Sequence, residues 1–138
     1  MQRLSPTFPV IALASLVWMP SAVCAAPRDL LAVYETVARQ ATPSFAGFSA
    51  ARGARFFQEP HGGEWNCATC HTPNPVTAGK HARTGKTITP LAPGANPDRF
   101  ADAASAEKWF RRNCNDVLGR ECTPLEKGDV LTWLLSLK

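Results

Sequence analysis

Cys67-Ala68-Thr69-Cys70-His71 brings two thiols and an imidazole together within five residues. Cysteines three positions apart lie about one helical turn from each other, so their thiols can reach the two vinyl groups on one edge of a porphyrin. The histidine directly after the second thiol then points its imidazole at the iron from the proximal side. Cys-x-x-Cys-His is the attachment signature of a c-type haem. It implies one covalent haem c, held by Cys67 and Cys70, with His71 as an axial ligand. The same cysteine spacing also serves redox dithiols and zinc knuckles. A thioredoxin-like dithiol needs a βαβ context, and residues 55–75 show no strand alternation. A four-cysteine zinc site needs a second close-spaced pair, and Cys114 and Cys122 lie too far apart to make one.

Haem attachment of this kind takes place outside the bacterial cytoplasm, and the N-terminus reads as an export signal. Arg3 supplies a positive start, an apolar run follows from Val10 to Met19, Pro20 and Ser21 break it, and Val23-Cys24-Ala25 offers small residues for cleavage. The run is too short for an ordinary membrane-spanning helix. Val23 before Cys24 is a poor lipoprotein signature. The expected organisation is a signal peptide over residues 1–25 and a single monohaem domain over 26–138, soluble in the periplasm. Cleavage removes Cys24 and leaves Cys67, Cys70, Cys114 and Cys122. The first two are assigned to haem, and the second two can form a disulfide in an oxidising compartment. The formal charge is +4. Loss of Arg3 and gain of two propionates bring it to about +1, with the basic residues scattered as a solvated surface. This gives no case for nucleic acid or an anionic membrane as partner.

The motif must be positioned by helices. Pro27 to Gln40 reads as the first, with Leu30, Leu31, Tyr34, Val37 and Ala38 on one apolar face, and Thr42-Pro43 ends it. Ser49 to Glu59 reads as the second, capped by Ser49, with Phe56 and Phe57 apolar and Gly53 placed to let another helix pack close. His61 is expected in an exposed loop. Residues 72–100 show no regular period and are punctuated by prolines and glycines. A porphyrin gives such a loop an apolar surface to wrap, with Ile88 and Leu91 as contacts. A third helix spans Asp102 to Cys114, capped by Asp102 or Ser105, with Trp109 and Asn113 on one face. The last runs from Thr123 to Leu137 with a capping-box start, Thr123-Pro124-x-Glu126, and a stripe of Val130, Trp133, Leu134 and Leu137. The fold class is all-α around a haem.

The residue opposite His71 decides the chemistry. Electron-transfer cytochromes commonly use methionine there. The chain's methionines are Met1 and Met19, both within the expected signal, so the mature protein has no His/Met option. His61, His81, a lysine such as Lys80 or Lys86, Asn113, and water remain. An asparagine near a helix end is ordinarily a cap. Cys114 follows Asn113 directly, and a bridge to Cys122 would pin the backbone beside the amide and stabilise the fold by roughly 2–3 kcal/mol.

The segment from Thr84 to Leu134, including TGKTITPLAPGANPDRF and EKWFRRNCNDVLGRECTPLEKGDVLTWL, resembles the sphaeroides haem protein family, a group of high-spin class I c-type cytochromes. The resemblance extends from about Arg28 to the C-terminus and is densest from Thr84 onward. It implies a class I cytochrome c-like fold, Asn113 as the axial ligand opposite the histidine, and a Cys114–Cys122 disulfide. It also implies that the Gly53-x-x-Phe56-Phe57 helix meets the last helix through Trp133, and that Pro90 in Thr89-Pro90-Leu91 offers its carbonyl to His71 Nδ1. Trp109 would stand beside Asn113. Members of the family are reduced by a dihaem c-type cytochrome working with a membrane b-type cytochrome.

An amide oxygen is a neutral, hard donor that suits ferric iron better than ferrous. Reduction is therefore expected to release Asn113 and open a site for O₂, NO or CO. A gas- or peroxide-reactive haem protein and a plain periplasmic electron carrier are the two functions compatible with the sequence, and turnover is left open.

Overall fold

The structure, a computed structural model, describes residues 27–138. The expected signal over residues 1–25, and with it the periplasmic location, lies outside them. Five helices and one minimal hairpin follow in order: α1 (Pro27–Ala41), α2 (Ala50–Gln58), α3 (Cys67–His71), β1 (Gly79–Lys80), β2 (Thr87–Ile88), α4 (Ala103–Leu118) and α5 (Pro124–Ser136). The fold is mostly helical, as expected. The strands pair antiparallel, Gly79 opposite Ile88 and Lys80 opposite Thr87.

The centre of the molecule is α5. Thr123 caps it by accepting from Glu126 N–H, Glu126 returns a bond to Thr123 N–H, and Pro124 sits in the first turn. The burial is wider than a stripe. Leu131 and Leu134 are fully buried, Val130 and Trp133 nearly so, and Lys127, Gly128 and Asp129 join them. The reason is that α1 packs on one side and α2 on another.

Against α2 the approach is between backbones. A Cβ on Gly53 would overlap the carbonyl of Asp129 and crowd Val130 N, so the glycine serves close helix contact. One turn on, the Phe57 ring lies 4.9 Å from Trp133. The Asp129 carboxylate, 4 % exposed, accepts from Ser49 N–H at 2.6 Å, Arg52 Nε at 2.6 Å and Arg52 Nη2 at 2.8 Å. A buried carboxylate is tolerated when its lone pairs are filled in this way.

The buried face of α1 is narrower than its apolar pattern, with Leu30, Tyr34 and Ala38 inside and Val33 and Val37 exposed. Asp102 caps α4 by accepting from Ser105 N–H at 2.6 Å. The expected end at Cys114 is corrected: nothing in Asn115–Leu118 breaks a helix, and α4 stops at Gly119, whose φ of +67° is left-handed. Phe110 of α4 packs into both apolar clusters, the one around Leu30, Tyr34 and Leu131 and the one around Phe57, Ala68 and Trp133. It therefore joins α1 and α5 to the Cys67–His71 turn. No described helix is long and apolar enough to cross a membrane.

Candidate haem site

A single helical turn, α3, carries the three chemistry-bearing residues. Asn66 starts it with a reciprocal cap: its side chain accepts from Thr69 N–H at 2.8 Å and Thr69 Oγ1 accepts from Asn66 N–H at 3.1 Å. Asn66 Nδ2 also donates to the Gln58 carbonyl at 2.6 Å, tying the turn to the end of α2. Ala68 is buried in the core. Thr72, with φ of +64°, ends the turn. This leaves Cys67 and Cys70 as free thiols on one helical turn, both half-buried.

Burial pushes the Cys67 thiol up to about 11. A reactive dithiol needs the opposite shift, so the pair is poorly built for thiol redox exchange. Among the described residues no group of three or more His, Cys, Asp or Glu side chains is arranged to hold a metal ion directly. Burial, and secondarily the charge of Arg99, lowers His71 to about 4. A neutral imidazole with its lone pair free is the form that ligates iron. Its ring lies 6.3 Å from Phe57, itself packed at a tilt against Trp133. Two reduced thiols at attachment spacing beside a neutral histidine fit a covalent haem.

The Pro90 carbonyl does not take the role expected of it. It accepts from Asn96 Nδ2 at 3.2 Å and Arg99 Nε at 3.0 Å, which fill its two lone pairs. His71 Nδ1 is buried without a hydrogen-bond partner. Arg99 also donates to Thr89 O and Oγ1 at 3.0 and 2.8 Å, clamping the 89–90 turn. Its importance was not legible, since nothing marks one arginine in an irregular loop as a half-buried clamp. Leu91 N–H and Ala92 N–H both donate to Pro75 O, folding this loop back over the segment after His71, with Leu91 on the core.

On α4, Ala106, Phe110, Asn113, Cys114 and Val117 are buried or half-buried and recur at i, i+4, i+7, i+8 and i+11, one helix face. Asn113 lies within the helix, five residues before its last, and is not a cap. Its side chain makes no hydrogen bond among the described residues. Cys114 and Cys122 are disulfide-bonded. The Val117 carbonyl lies 3.6 Å from where a Cβ on Gly63 would be, so the end of α4 faces the segment leading into α3. Trp109 turns outward, 46 % exposed, with the Arg112 guanidinium 5.6 Å over its ring. It shares helical spacing with Asn113 but not its burial.

The other ligand candidates are engaged elsewhere. His61 is not an exposed loop residue: its Nε2 lies 2.8 Å from the Phe56 carbonyl and its ring packs on Phe56. His81 Nδ1 accepts from Arg83 N–H and Thr84 N–H at 3.3 and 3.2 Å. Lys80 and Lys86 are exposed.

Known proteins resemble the chain in sequence and in fold. Residues 43–134 match a family described as a domain of unknown function (DUF1924). The chain is 49 % identical over 112 residues to the cytochrome c-type protein SHP of Cereibacter sphaeroides, covering 78 % of this chain and 81 % of that one. It is 41 % identical over 113 residues to cytochrome c'' of Methylophilus methylotrophus, covering 79 % and 78 %. The crystal structure of oxidised cytochrome c'' superposes with a TM-score of 0.73 at 40 % identity, over 81 % of this chain and 94 % of that one. Oxidised SHP, described as an oxygen-binding cytochrome c, superposes with a TM-score of 0.70 at 48 % identity, over 79 % and 95 %.

Proposed function

The chain belongs to the family of c-type cytochromes that includes SHP and cytochrome c'', and from that premise we propose that it is an exported monohaem cytochrome in which Asn113 faces His71 across the iron and leaves on reduction. The cofactor is haem c, which supplies a redox-active iron with two axial positions. Cys67 and Cys70 would hold it covalently. His71 would fill one axial position through its neutral imidazole, and Asn113 the other through its amide oxygen.

The observation that carries this reading is the state of Asn113. The half-buried amide makes no hydrogen bond among the described residues, and it lies within a helix where the backbone needs no cap, on the face that carries Phe110 into the cluster with Ala68 and Cys67. The adjacent disulfide fixes its backbone. Residues 27–138 contain no methionine, so the amide competes with no thioether. An amide oxygen suits ferric iron better than ferrous, so Asn113 would be released on reduction, leaving room for O₂, NO or CO, and its amide N–H would be placed to donate a hydrogen bond to such a ligand. Oxygen binding by SHP supports the same chemistry here. Electrons come from another c-type cytochrome, a dihaem protein working with a membrane b-type cytochrome, and the location is the periplasm.

Asn113→Ala tests the assignment. The haem should stay attached, since Cys67, Cys70 and His71 are untouched, and the ferric visible spectrum should change to that of a water-ligated or open iron. An unchanged ferric spectrum would move the ligand role to another side chain.

A further inference from the structure

Resting on the proposal that Cys70 attaches the haem edge, we infer that the β1–β2 hairpin is a docking surface for an acidic electron-donor protein. The basic residues are scattered in sequence, but the fold gathers three of them. No aspartate or glutamate occurs between Glu64 and Asp98. Within that stretch the hairpin exposes Lys80, Arg83 and Lys86. None of the three pairs with a carboxylate among the described residues.

The charges are held in place. His81 N–H donates to the Lys86 carbonyl at 2.8 Å and Gly85 N–H to the His81 carbonyl at 2.8 Å. Gly85 takes a φ of +68° to close the turn. His81 Nδ1 accepts from the two N–H groups between them. The Arg83 guanidinium sits 5.2 Å over Trp65, two residues before Cys67.

The hairpin is also fastened to Cys70. Ala82 N–H donates to Cys70 Sγ at 3.3 Å. Gly79 lies so close to the Cys70 carbonyl that no Cβ fits. A partner seated on Lys80, Arg83 and Lys86 is therefore beside Cys70. An ordered cationic patch speeds encounter with an anionic surface and fixes its orientation. A nucleic acid or lipid surface would gain nothing from contact with Cys70, whereas a one-electron donor would. The donor loses one electron and the ferric iron gains it, with no bond made or broken.

A flavodoxin, an acidic one-electron donor, serves as the probe. Oxidised flavodoxin is titrated calorimetrically into the ferric holoprotein at about 10 mM ionic strength, where screening is weak. The same pair, with the flavodoxin reduced, is mixed in stopped flow. Lys80→Glu/Arg83→Glu/Lys86→Glu should weaken binding and slow reduction by about tenfold or more. Reduction of the same variant by neutral photoreduced lumiflavin should be unaltered. Arg28→Glu/Lys108→Glu/Lys138→Glu, with the same net charge, should lose much less. Equal losses in the two variants would overturn the docking surface. So would patch-dependent binding to phosphatidylglycerol vesicles without patch-dependent flavodoxin binding. Failure of lumiflavin to reduce the native holoprotein would instead overturn the redox-haem reading on which the inference rests.

Discussion

At His81 the Nδ1 lone pair is committed to two backbone N–H groups of its own turn, so a neutral ring carries its proton on Nε2 and has no lone pair to offer iron. His81→Ala should therefore leave the ferric and ferrous spectra unchanged. A spectral change in that variant would make His81 a ligand. Glu126 shows how neighbours reset a carboxylate. Burial alone would raise its pKa, but the Arg120 guanidinium, at 2.7 and 2.8 Å, and the Thr123 N–H hold it below the ordinary value of 4.5. A depressed folded pKa contributes stability above the unfolded value, and that contribution disappears as pH falls through the folded one. Glu126→Gln should cost about 0.5 kcal/mol at neutral pH, since solvent screens the half-exposed ion pair. The gap between native and variant melting points should begin to narrow near about pH 4 and close at lower pH, below the folded value. A gap that persists at low pH would contradict the ionic origin. The haem c cofactor was legible because its attachment signature, Cys67 to His71, is local. The acceptor role given to Pro90 failed because the loop's path brings Asn96 and Arg99 to that carbonyl, and spacing does not encode that path.

Among the elements, helices with caps were legible within a residue or two, since Ser49, Asp102 and Thr123 accept the N–H groups that mark their starts. The end of α4 was misread because a cysteine pair is no helix breaker, whereas Gly119 is. Gly53 was legible as a contact glycine, and its contact is with the backbone of Asp129 and Val130. Backbone atoms cannot rotate away, so Gly53→Ala should destabilise the protein by about 1–3 kcal/mol. An unaltered melting point would contradict the close α2–α5 approach. Cys114 and Cys122, eight residues apart, close a short loop, and replacing both with alanine should cost roughly 2–3 kcal/mol. If the bridge also positions Asn113, the ferric spectrum should move toward that of Asn113→Ala. Lower stability with an unaltered spectrum would confine the bridge to a structural role.

Across the whole molecule, α5 is buried by α1 and α2, while α2 and β1 contact α3 and Phe110 and Leu91 reach the cluster that holds Ala68. The all-α class was legible from helical periodicity, but the grouping of Lys80, Arg83 and Lys86 beside Cys70 was not, because it depends on a hairpin of only two residues per strand. Trp109 shows the same limit: helical spacing put it with Asn113, and only the packed fold shows it facing outward. The architecture puts one proposed axial residue, His71, half-buried beside Phe57 and the other, Asn113, on a separate helix next to a disulfide. Under the proposed ligation, that division would let one side stay fixed while the other lets go.

The most direct measurement is the visible spectrum of the holoprotein, oxidised and then reduced under argon, before and after CO. Release of Asn113 predicts a high-spin ferrous spectrum that shifts rapidly on CO addition, with the oxidised protein unaffected. A low-spin ferrous spectrum indifferent to CO would contradict it.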